Sequence, residues 1–174
     1  MTFPQQLRKN MGQANWLIIP IAAFLPLILG FIWYHPNVLG SRVAQISGEP
    51  LVKNWSIGRI AGIYFFSIFL AYILTLMSVH QTAIFQLFFM DPALADANSE
   101  YNTFIKDFFT TYGDRHRSFG HGMVHGAEAG FMFGLAFLGI TTLLQGKPLR
   151  SIWIHLVFWV ICCSLVAGLV CAFF

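Results

Sequence analysis

Charge is scarce in this chain: Asp, Glu, Lys and Arg make up only 10% of its 174 residues, and ten basic against seven acidic residues leave a formal charge of +3. The basic residues are scattered among the connections without a clustered stripe, which argues against nucleic acid as a partner. Cysteine is equally sparse. Cys162, Cys163 and Cys171 all fall in the last apolar stretch with no CxxC or zinc spacing, and they read as small buried apolar residues. A Gly-rich phosphate loop, a GxSxG elbow and an HExxH pair are all missing, so enzymatic activity has no motif behind it.

What is present is apolar. Hydrophobic residues reach 57% and aromatic ones 17%, a composition outside that of ordinary soluble domains. Four apolar stretches fill most of the chain, at about 15–35, 57–80, 121–144 and 151–173, each close to the roughly 20 residues that cross a bilayer. The expected fold is therefore all-α: one polytopic membrane domain over residues 1–174, with four transmembrane helices in an antiparallel bundle surrounded by lipid. The first stretch contains Pro20 and Pro26, which predict a kink, and ends at Trp33-Tyr34-His35-Pro36, aromatic residues at headgroup level before a helix-stopping proline. The polar connection that follows carries the turn signal Gly48-Glu49-Pro50.

Apolar character in the second stretch continues to Met90, too long for a hydrocarbon core of about 30 Å unless the helix tilts or emerges. Beyond Asp91-Pro92, Tyr101, Phe104, Ile105, Phe108, Phe109 and Tyr112 recur at helical spacing. They predict a short amphipathic helix over about 99–112, on the membrane surface or over the bundle mouth, capped by Asn98 or Ser99 and ended by Gly113. Gln145-Gly146-Lys147-Pro148 is so short a turn that spans three and four must form a hairpin. Arg8, Lys9, Lys106, Arg115 and Arg117 on one side balance Arg42, Lys53, Arg59, Lys147 and Arg150 on the other, so the basic residues set no insertion direction.

In lipid, helices associate by close backbone approach, and small residues mark where this happens. Gly122, Gly126, Gly130 and Gly134 stand at strict four-residue spacing on span three, and Gly58 and Gly62, followed by Ser67, Ala71 and Thr75, mark span two. The expected contact is a tight crossing of spans two and three, with a homodimer seam as the alternative.

Counting membrane sides gathers His80, His116, His121 and His125 at one end of the bundle, and His35 and His155 at the other. His121, His125 and Glu128 stand at i, i+4 and i+7, along one face of span three, the way a helix offers ligands to zinc, iron or copper. His80 is the best further ligand and His116 the next. Glu128 lies about two turns inside the span, where an acidic group is costly and needs a partner or a polar cavity. The plainer reading makes the histidines interfacial groups bonded to backbone carbonyls, with Glu128 protonated against another helix.

Gly30, Trp33-Tyr34-His35-Pro36, Gly40 and Gly48, with His121-Gly122 and His125-Gly126 before a glycine-rich span, resemble the bacterial membrane family called domain of unknown function 1761. The resemblance implies four spans and a bacterial membrane, and brings no activity, substrate or catalytic residue with it; the expected location is the bacterial inner (cytoplasmic) membrane. The leading functional expectation is a binding or accessory component of the membrane, paired with itself or a larger membrane complex. A metal- or haem-binding protein using the His121, His125 and Glu128 face with His80 competes with it. A small proton or ion conductor centred on Glu128 is the third reading, weakened by the few polar residues between Glu128 and Thr141.

Overall fold

The computed structural model describes residues 14–88, 91–96 and 98–174. Arg8, Lys9 and Met90 lie outside the described residues. Among those described, every regular element is helical. The first apolar stretch is split into α1 (Ile18–Ala22) and α2 (Phe24–Tyr34). The break at Ala23 follows from Pro26, which has no N–H to offer the carbonyl of Ala22. Nearby, the Tyr64 hydroxyl donates to the Pro20 carbonyl at 3.2 Å, so a neighbouring helix serves backbone in the proline-bearing segment.

The polar connection after Tyr34 is more ordered than its sequence signals imply. His35 is extended, Pro36–Gly40 form a turn of π-helix, and α3 (Ser41–Ser47) follows before Gly48 ends it in the left-handed region at φ 75°. A side chain at Gly40 would run into the Tyr34 carbonyl, so the reversal depends on that glycine.

The remaining helices are α4 (Ile57–Ser78), α5 (Thr82–Leu87), α6 (Glu100–Tyr112), α7 (Phe119–Leu144) and α8 (Arg150–Phe173). Three of them, α4, α7 and α8, are long and apolar enough to cross a membrane, and a fourth crossing is available if the bent run from Ile18 to Ser47 counts as one span. The second apolar stretch does not continue as one helix. It stops at Ser78, Val79 turns extended, and α5 starts a separate short element. α6 has the predicted extent, with Ser99 accepting from the Asn102 amide at its start.

α8 is the axis of the fold, packed against α7, α4 and the first apolar segment, with Cys162, Val166, Ala167, Val170 and Cys171 fully buried. The glycine stripe of α7 faces α8, not α4. A methyl at Gly122 would strike the Ala167 carbonyl, at Gly126 the Cys163 carbonyl, and at Gly130 the Trp159 carbonyl and the Val160 backbone. Cys163, Ala167 and Cys171 stand four residues apart on α8 and form the matching row of small residues. This corrects the expected crossing of spans two and three: the short turn at residues 145–149 lays α8 along α7, and α8 occupies the close seam. On α4, Ser67, Ala71, Thr75 and Ser78 are buried, while among the described residues Gly58 and Gly62 have nothing within 4 Å of an added methyl, so these two do not mark a close crossing with any described helix.

At the end away from His80, the connection is clamped to the α7–α8 hairpin through Glu49. Its carboxylate accepts from the Ser151 hydroxyl at 2.8 Å and lies 3.2 Å from Lys147 Nζ and 3.3 Å from His155 Nε2. The Tyr34 hydroxyl is 2.9 Å from His155 Nδ1, so with its proton on Nε2 the imidazole accepts from Tyr34 and faces Glu49 as a donor. Partial burial disfavours the ionised carboxylate, but the hydrogen bonds of Ser151 and Lys147 and the attraction of His155 outweigh it and hold Glu49 below its usual range. A carboxyl depressed by folding stabilises the fold above its ordinary pKa, and that contribution fades as pH falls towards the depressed value. Glu49→Gln should therefore lower stability at pH 7 by about 1 kcal/mol. In thermal unfolding of detergent-solubilised protein, the gap between variant and wild type should close on acidification below the ordinary carboxylate range; a gap that stays constant with pH would refute this assignment.

Candidate metal centre

The Ser118 hydroxyl caps α7 by accepting from the His121 amide at 3.3 Å, and this start places His121 in the first turn and His125 one turn further along the same face. His80 arrives from the end of α4. Val79, 1% exposed, anchors the chain there, and the Gln81 amide on the other side donates to the carbonyls of Tyr112 at 3.0 Å and Arg115 at 2.9 Å. His80 is thus held between two anchored neighbours.

The three imidazoles converge. His121 Nε2 lies 3.0 Å from His80 Nε2 and 3.1 Å from His125 Nε2, and one donor atom from each residue falls within 4.8 Å of the others. A tetrahedral ion with Zn–N bonds of about 2.0–2.1 Å would set such nitrogens roughly 3.4 Å apart, so the two separations from His121 are each a few tenths of an ångström from a coordinating one. In the structure as it stands, His121 Nε2 can accept from both neighbours. Binding an ion instead requires the protons of all three rings on Nδ1, leaving every Nε2 lone pair free.

Desolvation, with the neighbouring imidazoles His125 and His116, holds His80 below the ordinary histidine range, which favours the neutral, ligating form. The group is partly open to its surroundings, His80 being exposed and His121 and His125 half-buried.

Glu128 does not join the convergence. Its carboxylate lies 4.0 Å from His125 Nδ1, the ring nitrogen turned away from the other two histidines, and its side chain is 71% exposed on the outer face of α7. His116 also stays apart, stacked on His121 with ring centroids 4.9 Å apart. Gln81 had no signal of its own in the sequence, because its partners are backbone carbonyls of a distant segment.

The model of the family described as "Protein of unknown function (DUF1761)" matches residues 17–171. The chain belongs to the DUF1761 family. The match takes in every element that builds the centre of this DUF1761 chain: the end of α4, the turn that carries His80, the α6–α7 turn and α7 all lie inside it. No curated protein and no solved structure gives a match. The arrangement itself limits the chemistry. A haem iron takes axial ligands from opposite faces of a flat macrocycle, whereas these imidazoles converge on one point, which suits a bare ion.

Proposed function

We propose that this DUF1761 chain is a metal-binding protein of the bacterial cytoplasmic membrane, crossing it four times and holding one divalent transition-metal ion through His80, His121 and His125. The observation that supports this is the convergence of three Nε2 atoms, two from α7 and one from the turn that follows α4, at 3.0 and 3.1 Å. Imidazole is a ligand for zinc, copper, iron and nickel alike, so the donor set selects the class of ion and leaves the metal to availability. In this reading Glu128 is a positioning residue: with the ion bound, the His125 proton sits on Nδ1 and faces the carboxylate 4.0 Å away. α6, with Tyr101, Phe104 and Tyr112 exposed, lies in the interface beside the site.

The test is equilibrium binding of Zn²⁺ and Cu²⁺ to the detergent-purified full chain, with metal content per chain as readout. One ion per chain, lost in a His121→Ala, His125→Ala double variant, is the expected result. A wild type that retains no ion after exposure to both metals would sink the proposal. Glu128→Gln should keep the stoichiometry and weaken affinity about tenfold or more, the usual effect of removing a carboxylate behind a ligating histidine. Unchanged affinity would remove Glu128 from the site.

A further inference from the structure

A three-nitrogen site leaves a divalent ion short of the four ligands it commonly takes. The nearest further imidazole is His116, in the turn between α6 and α7. Its ring is exposed, stacked on His121 at 4.9 Å with 23° between planes, and 6.2 Å from the His80 ring centroid. It is also the one non-glycine residue among those described with a positive φ, 64°. A side chain in that region carries strain which glycine would avoid and asparagine would lessen.

The backbone that holds this strained residue is fastened from three directions. Gln81, the neighbour of His80, grips the carbonyls of Tyr112 and Arg115. The Cys171 thiol donates to the His116 carbonyl at 3.4 Å, and Arg117 Nε donates to the Cys171 carbonyl at 3.1 Å. The His116 carbonyl also accepts from the Ser118 amide at 3.0 Å. The segment that presents His80 therefore also fixes the turn that presents His116, which keeps the exposed ring beside the cluster.

We infer that His116 is a mobile fourth ligand, swinging from its stacked position on His121 to close a four-imidazole shell over an ion held by His80, His121 and His125. The inference rests on the three-histidine reading. It gives that site a direction: the ion enters from the aqueous end through the α6–α7 turn and is enclosed there. Four neutral ligands leave no open position for a reacting water, so the shell suits capture and transfer of a divalent cation.

The test uses the full chain loaded with one equivalent of Cu²⁺, counting coupled imidazole nitrogens by pulsed electron paramagnetic resonance, with Zn²⁺ release rates measured in parallel. Four nitrogens in wild type, three in His116→Ala and a release rate at least tenfold faster in the variant are expected. His116→Asn, which keeps a residue at ease in this backbone region, should behave like His116→Ala, tying the effect to the imidazole. Three nitrogens in wild type, or unchanged count and release in both variants, would overturn the inference while leaving the three-histidine site intact. If wild type holds no copper at all, the site itself fails and this inference falls with it.

Discussion

Replacing His121 with alanine is expected to abolish stoichiometric binding of Zn²⁺ and Cu²⁺. His121 Nε2 is the atom that lies within hydrogen-bonding distance of both His80 Nε2 and His125 Nε2, so its removal leaves two imidazoles with nothing between them. Loss of an outer-shell partner alone weakens metal sites by about 10–100-fold, and loss of this central ligand should exceed that range. His80→Ala and His125→Ala should each leave weaker, measurable binding. Because His121 is half-buried in the first turn of α7 and outside the buried core, thermal stability of the metal-free variant should stay within about 0.5 kcal/mol of wild type. A His121→Ala protein that folds normally and binds zinc as tightly as wild type would end the case for the centre. An unfolded variant would be set aside in favour of His121→Gln, which keeps bulk and polarity while removing the imidazole.

The second large effect belongs to the α7–α8 seam. Gly126→Leu should prevent the hairpin from closing, since even the first carbon of the new side chain would overlap the Cys163 carbonyl and the Ala167 side chain. Overpacking costs about 1–3 kcal/mol when flexible side chains can give way, and backbone on the opposing helix cannot, so a loss of about 3 kcal/mol or more is expected. Size-exclusion profile and thermal midpoint in detergent are the readouts. Gly62→Leu is the matched control: nothing stands within 4 Å of a methyl there, and stability should be close to wild type. If the two variants behave alike, close approach at Gly126 is not what joins these helices. Since His125 is the neighbour of Gly126, the first variant should lose metal binding as well.

Much of the architecture is legible without coordinates because hydropathy marks long apolar helices directly. Apolar runs of about 20 residues, stopped by Pro36 and by Gln145-Gly146-Lys147-Pro148, are enough to place most of the long helices, whereas the end of α4 at Ser78, within a longer apolar run, carries no such signal. The 3.6-residue period likewise exposes α6 and sets His121 and His125 on one face. The short helix α3 escapes this kind of reading. Its residues lie between turn signals, and what organises them is the reversal at Gly40 and the clamp from Glu49 to Ser151, both contacts with distant chain. His155 escapes it for the same reason: a single histidine near a span end carries no mark of Tyr34 and Glu49, which come from other elements.

The sequence by itself determined the apolar character of the long helices, the family, and that His121 and His125 share one face of a helix. These are properties of composition and of local period, and a single strand of residues carries them. Only the tertiary structure decided that the glycine stripe of α7 closes on α8, that His80 completes the convergence while Glu128 stands behind His125, and that His116 waits stacked on His121. Each of those outcomes depends on how one helix is rotated against another. Here that rotation is settled by which small residues let two backbones approach, a property of pairs of surfaces that neither surface carries alone.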